Sequence, residues 1–279
     1  MDVKKAIQFM LISTLAFACM NGIVKQLAHI DAFQIVFFRS ASSLFFTFGF
    51  LIKHKIPVLG NKRTLLVLRG LVGVTSMALF FMATKFLPIG TAVSLRYMAP
   101  IFAAIFAVLL LKEKVKPIQW FFFFVAFAGV IVLKGFDANL DVYGLFLIFV
   151  SAVFSGLVYI LISKIGKADH PVVVVNYFMV ISTITGGILS IFNWTNPVGI
   201  EWLFLFGLGV FGYFGQVYMT KAFQIAATNQ VAPLKYLEVI FTVLFGVFIF
   251  GEIYSLWSLL GIAMIIGALI LNALYKEKK

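Results

Sequence analysis

The feature that most constrains this chain is a series of ten apolar stretches, each about as long as a bilayer-crossing helix needs, roughly 20 residues. They fall at 6–24, 32–52, 65–84, 90–111, 117–134, 142–162, 171–192, 201–221, 230–250 and 256–275. The links between them are short and hold breakers or charge: Pro57, Gly60 and Asn61; Pro88; Asp137 and Asn139; Asp169, His170 and Pro171; Asn196 and Pro197. Pro117 and Pro171 stand where helices start, a position at which a missing N–H costs little. With 63% hydrophobic and 11% charged residues, the chain has too little polar surface for a water-soluble fold, in which about 25% is charged. The expected class is an all-α polytopic membrane protein. The first stretch follows Asp2, Lys4 and Lys5 as a signal peptide would, but no small-x-small cleavage pattern follows it. It is therefore read as a first spanning helix.

A second regularity divides the chain. Leu95-Arg96-Tyr97 through Ile101-Phe102, Phe106 and Val108 to Glu113 recurs as Leu234-Lys235-Tyr236 through Ile240-Phe241, Phe245 and Val247 to Glu252. Each pair is 139 positions apart. The chain reads as two five-helix units, 1–138 and 139–279. An odd number of spans per unit makes the second enter from the opposite side, an inverted repeat around a central cavity. Glu113 and Glu252 then fall at opposite faces.

Charge in the links sets the expected orientation. With a cytoplasmic N-terminus, the inside receives Lys4, Lys5, Lys53, Lys55, Lys62, Arg63, Lys112, Lys114, Lys116, Lys164, Lys167, Lys221, Lys276, Lys278 and Lys279. The outside receives Lys25, Lys85 and Lys134. Both termini are expected in the cytoplasm. The net charge of +12 is a topology signal, with anionic lipid heads as a secondary partner, and gives no reason to invoke nucleic acid.

Ionisable groups inside spans are costly and mark candidate sites. Here they are Arg39, Arg69, Arg96, Lys235 and Glu238. Arg96, Pro100, Ala103 and Ala107 share one helical face, and Pro100 removes a hydrogen bond and permits a kink. Lys235, Glu238 and Thr242 share another, with Lys235 and Glu238 spaced for an ion pair. For Arg96 and Lys235 the alternative is snorkelling to an interface. Arg69, about a turn from a basic link, favours snorkelling or structural bonding. Arg39 is either a site residue or a bond between helices. Asn21, Ser155, Tyr159, Asn176, Thr183, Tyr213, Gln216, Tyr218 and Thr220 are either cavity-lining or interhelical bonding groups. Gly207, Gly209, Gly212 and Gly215 make one helix thin-sided. No phosphate-cradling Gly-rich motif with Lys-Ser/Thr is present, so no ATP engine is expected. Single Cys19 excludes a disulfide or multi-cysteine metal site within the chain. His29, His54 and His170 lie in or near links without metal-ligand spacing. No enzyme and no cofactor is expected.

On Arg39, Arg69-Gly70, Pro100, Glu113, Glu238 and Glu252, the chain resembles the drug/metabolite transporter superfamily, specifically its ten-helix EamA group, along nearly its whole length. It departs at Val239, where many relatives carry Pro after the carboxylate. The resemblance implies a multi-pass protein of a bacterial inner membrane, monomer or homodimer. It also implies a cavity lined by helices 1, 3, 4, 6, 8 and 9, with helices 5 and 10 peripheral or at a dimer contact. The function expected is secondary transport of a small polar or zwitterionic, amino-acid-like metabolite by alternating access, with a proton or exchanged counter-substrate as partner. Arg96, Tyr97, Asn21, Tyr159, Tyr213, Gln216, Lys235 and Tyr236 are the expected substrate-binding residues. Glu238, Lys235, Pro100 and Arg39 are expected to couple or gate. The alternatives are a carrier of S-adenosylmethionine or a nucleotide- or vitamin-type metabolite, and a passive channel, which would need a more continuous polar stripe.

Overall fold

The computed structural model describes residues 2–87, 89–134, 141–250 and 256–275. Glu252, Pro88 and the expected boundary at 138/139 lie outside these residues. The described chain is helical: α1 Val3–Gln26, α2 Ala32–Lys53, α3 Arg63–Ala83, α4 Ile89–Arg96, α5 Ala99–Leu111, α6 Pro117–Lys134, α7 Val142–Ile165, α8 Pro171–Ser190, α9 Glu201–Ile225, α10 Thr228–Val231, α11 Leu237–Phe250 and α12 Leu256–Leu274. Among the described residues, eight helical segments are long and apolar enough to cross a membrane; 117–133 and 259–272 form shorter apolar helices. The protein is a multi-pass membrane protein.

Local chemistry sets the helix ends. Carboxylates of Asp2, Asp31 and Asp141 accept the first-turn N–H groups of Lys5, Phe33 and Gly144 at 3.2, 2.9 and 2.8 Å, satisfying donors a helix start leaves open. Helix α7 ends at Gly166, whose φ of 54° is a left-handed conformation that glycine adopts without strain.

Two of the expected continuous spans are interrupted. The 90–111 stretch breaks at Tyr97 and Met98, before Pro100, into α4 and α5. The 230–250 stretch becomes α10, a 3₁₀ segment over Ala232–Tyr236, then α11. The missing N–H of Pro233, and not any residue after Glu238, accompanies that second interruption.

The packing follows a simple scheme. Helix α1 packs on α9 and α11, α2 on α8 and α9, α3 on α7 and α8, α5 on α7, and α6 on α12. Helix α9 fits between α1 and α2 because its glycines face them. A side chain on Gly215 would stand 2.8 Å from the Phe17 ring, and one on Gly212 would stand 3.2 Å from Arg39 Nε. Ser13 and Ser43 hydroxyls donate to the Gly215 and Gly209 carbonyls at 2.7 and 2.8 Å. The outward surface is apolar, with Phe45 at 73% and Phe248 at 81% exposure, as a lipid-facing surface requires. Within the Phe121–Phe124 run, Phe121 and Phe124 face out and Phe122 and Phe123 are buried.

The links gather at two ends. At one, the Asp169 carboxylate accepts Asn61 and Lys62 N–H at 2.5 and 2.9 Å. There too the Glu113 carboxylate accepts Thr228 and Asn229 N–H at 2.9 and 3.0 Å. At the other, His29 lies 2.9 Å from Glu201 and Thr195 N–H donates to Gln34 Oε1 at 2.8 Å.

Candidate functional site

Inside this bundle the charged groups meet. The Lys235 ammonium donates to Glu238 Oε2 at 2.5 Å, and Asn21 Nδ2 from α1 donates to Oε1 at 3.0 Å. Both oxygens of the carboxylate are therefore engaged. Lys235 Nζ also stands 4.3 Å from the centroid of the Phe17 ring, a cation–π contact. Lys235 and Glu238 are each 9% exposed, so the snorkelling alternative for Lys235 does not describe this structure. Thr242 donates to the Glu238 carbonyl at 2.7 Å, in the first turn of α11.

Three guanidiniums lie along α3. Arg69 is 1% exposed. Its Nη2 donates to Gln216 Oε1 of α9 at 2.9 Å, and its Cζ stands 4.2 Å from the Phe178 centroid of α8. Those partners join α3 to α9 and α8, and the burial leaves the Arg69 guanidinium inside the bundle and not at an interface. Arg39 Nη1 donates to Met77 Sδ at 3.7 Å, and Arg96 Cζ stands 4.6 Å over the Phe80 ring. Arg39 and Arg96 keep accessible surface although helices surround them. Arg39 Nε and Arg69 Nε and Nη1 are buried without a hydrogen-bond partner. A charge at the bilayer centre costs about 2.5–3.5 kcal/mol on insertion scales, so these open donors call for an explanation.

Aromatic and amide groups complete the cluster. Tyr97 and Tyr236 face each other with centroids 6.1 Å apart. Tyr159 of α7 stacks on Phe223 of α9 at 4.6 Å and 11°. Arg39 is in electrostatic range of Arg96 and Glu238, and Tyr159 in range of Arg96, Lys235, Glu238 and Arg69. Arg39, Asn21, Arg96, Tyr97, Tyr159, Gln216, Lys235, Tyr236 and Glu238 thus form one neighbourhood. Pro100 is buried in the first turn of α5.

Other expected residues sit elsewhere. Tyr213 packs on Phe46 and Phe214 at 5.8 and 5.4 Å, on the α2 side of α9. Tyr218 lies under the Lys221 ammonium at 4.7 Å. Asn176 accepts from Thr47 at 2.7 Å, joining α8 to α2. Ser155 bonds Ser76 at 2.7 Å, joining α7 to α3. Sequence reasoning missed Phe17, Phe80 and Phe178 as partners of the cations. Among 34 Phe residues, the one usable signal was Phe17 standing one turn before Asn21.

Comparison with known proteins adds three kinds of finding. The chain matches the model of the EamA-like transporter family twice, over residues 4–134 and 142–274. It is 28% identical to human solute carrier family 35 member G1 over 93% of this chain and 76% of that protein. It is 26% identical to the pseudopaline exporter CntI of Pseudomonas aeruginosa over 99% and 98%, and 27% identical to the S-adenosylmethionine uptake transporter of Rickettsia prowazekii over 90% and 85%. A solved crystal structure, 18% identical, superposes with a TM-score of 0.86 over 96% of this chain and 97% of that one, a likeness of fold.

Proposed function

The chain belongs to the EamA-like transporter family, and from that premise we propose that it is a secondary transporter of a small polar organic metabolite bearing an anionic group, working by alternating access. The observation that carries the substrate reading is charge. Four cations, Arg39, Arg69, Arg96 and Lys235, share the interior with Glu238, whose two oxygens are already engaged. Arg39 and Arg96 keep accessible surface and have no described carboxylate partner, so a substrate carboxylate or phosphate would supply the missing countercharge. In this reading Arg96 and Arg39 hold the anion, Tyr97, Tyr159 and Tyr236 orient it, and Lys235 with Glu238 gates or couples.

Alternating access rests on two halves, 1–138 and 139–279, in opposite orientation, making ten spans in all. Three features support it. Exchanging helices of one half for those of the other turns the α1–α9 packing into α7–α3, α1–α11 into α7–α5, and α2–α9 into α8–α3, all of which occur. Tyr97 and Tyr236, equivalent under the 139-residue shift, meet each other. The two interrupted helices occupy corresponding positions in the halves, which is the arrangement expected around a substrate site. The bacterial relatives and the charge asymmetry of the links support an inner-membrane location with both termini cytoplasmic.

The Rickettsia relative favours a second reading, a carrier of S-adenosylmethionine. The interior cations weigh against a cationic sulfonium, and no described carboxylate in the cluster is free to receive it. The test is counterflow in proteoliposomes across a metabolite panel. Saturable exchange that Arg96→Gln abolishes is the expected result. Flux without saturation or counterflow identifies a channel, and full transport by both Arg96→Ala and Glu238→Gln removes the assigned site.

A further inference from the structure

Resting on that transport reading, we propose that the substrate is a small organic dianion whose two separated acidic groups bridge successive guanidiniums on one face of α3. Arg69 points along its own helix, so that Nη1 lies 3.1 Å from the place a side chain on Gly73 would begin. The Arg39 guanidinium sits at Met77 and that of Arg96 at Phe80. Positions 73, 77 and 80 are spaced by four and three residues and share a helical face. At about 1.5 Å rise per residue, the guanidiniums climb that face in steps of about 6 and 4.5 Å. Helix α9 gives the same order, with Arg69 bonded to Gln216 and Arg39 beside Gly212, one turn away.

This ladder discriminates by charge and by length. Each guanidinium presents five N–H donors in a fork that fits a carboxylate. Among the described residues no carboxylate bonds Arg39, Arg69 or Arg96. Glu238, the acceptor a substrate ammonium would need, is held by Lys235 and Asn21. One acidic group pairs either Arg39 or Arg96 and leaves the other uncompensated; two groups pair both, while Arg69, 1% exposed and bonded to Gln216, forms the buried base of the ladder. With C–C bonds of about 1.5 Å, the Arg39–Arg96 spacing of about 4.5 Å matches acidic groups separated by roughly two to three carbons. The Gly212 backbone leaves the space that Arg39 occupies, and Met77 and Phe80 provide apolar wall for the connecting carbons.

The experiment is a thermal-shift titration of the purified full-length protein with aliphatic dicarboxylates and monocarboxylates of matched length and a zwitterionic amino acid, paired with counterflow of the same compounds. Dicarboxylates are expected to protect at concentrations at least about tenfold lower than matched monocarboxylates, the gain of one charge-assisted pair. Arg96→Gln and Arg39→Gln are expected to reduce that preference to a few-fold at most, and Arg39→Lys to retain part of it, which separates lost recognition from lost folding. Equal potency of mono- and dicarboxylates, or no protection by any dicarboxylate, overturns the proposal. Counterflow of a monoanion or zwitterion in that event leaves the transport reading standing, whereas absence of saturable exchange for every compound that binds removes the transport reading itself.

Discussion

Replacing Glu238 with Gln strips the negative charge from a pair whose side chains are only 11% and 12% exposed. The amide still accepts from Asn21, but the Lys235 ammonium loses its 2.5 Å partner and keeps only the Phe17 ring. Removing one member of a buried pair costs about 3–5 kcal/mol, because the survivor is an uncompensated charge. Here Arg39 and Arg96 also lie in range of Glu238, which places the cost toward the upper part of that interval. Removing both members, in Lys235→Met with Glu238→Met, replaces the pair by apolar bulk of similar size and is expected to cost no more than about 2 kcal/mol. By the scaling of soluble proteins, with about 2 °C lost per kcal/mol for a chain this long, the single variant should melt about 8–10 °C lower. The assay is a double-mutant cycle of thermal unfolding in one detergent, with Lys235→Met and Glu238→Met as the two single corners and Glu238→Gln measured beside them. A double variant that loses the sum of the two single losses shows that the two residues do not act as a unit, and refutes the reasoning.

Further outcomes follow from other contacts. Gly186→Ala places a Cβ 2.9 Å from the Phe37 backbone N, an atom that cannot rotate away, and should lower stability by about 1–3 kcal/mol in the same thermal assay. Gly212→Ala meets Arg39 Nε and Ser43 Oγ at 3.2 Å; it should cut transport more than stability, read as counterflow rate against melting temperature. Asp169→Ala removes the carboxylate that accepts Asn61 and Lys62 N–H and should cost about 0.5–2 kcal/mol, with Asp169→Asn retaining part. Burial foremost, then Lys221 and His54, holds the His170 imidazole below its usual range. Its neutral Nδ1 caps α8 by accepting Val172 N–H at 3.3 Å. The unfolded chain takes up that proton at about pH 6.5, so His170's contribution is full above that pH and is lost as pH falls below it. His170→Asn should flatten this part of a stability-versus-pH profile.

Much of the architecture was legible because lipid imposes a simple rule. Apart from the two interruptions, each stretch long and apolar enough to span is helical over most of its described residues, and Pro117 and Pro171 open helices as their place in the sequence implies. The interruption near Pro100 followed from a missing N–H. The one at Pro233 has the same cause, a missing N–H that lies ahead of Glu238 and not at Val239 after it. The Lys235–Glu238 pair was readable from its i,i+3 spacing, since both members lie on one local segment. Its third partner, Asn21, was not, because 217 positions separate it from Glu238 and only tertiary packing brings them together. The same holds for Arg69 with Gln216, 147 positions apart. Arg69's nearness to a basic link in sequence suggested an interfacial end, whereas its side chain turns along α3 into the bundle. Tyr213 looked equivalent to Gln216 in the sequence, but it packs on Phe46 of α2 whereas Gln216 bonds Arg69 of α3, a difference only tertiary packing sets.

The measurement that tests the central claim most directly is the sidedness of one interior position. In a Cys19→Ser background, Tyr97→Cys is reacted with a membrane-impermeant thiol reagent from either side of right-side-out and inverted vesicles. Labelling whose preferred side shifts when substrate is supplied, and which substrate retards, is the predicted result. Simultaneous labelling from both sides at substrate-independent rates, or none from either side, would contradict an interior site that opens to one compartment at a time.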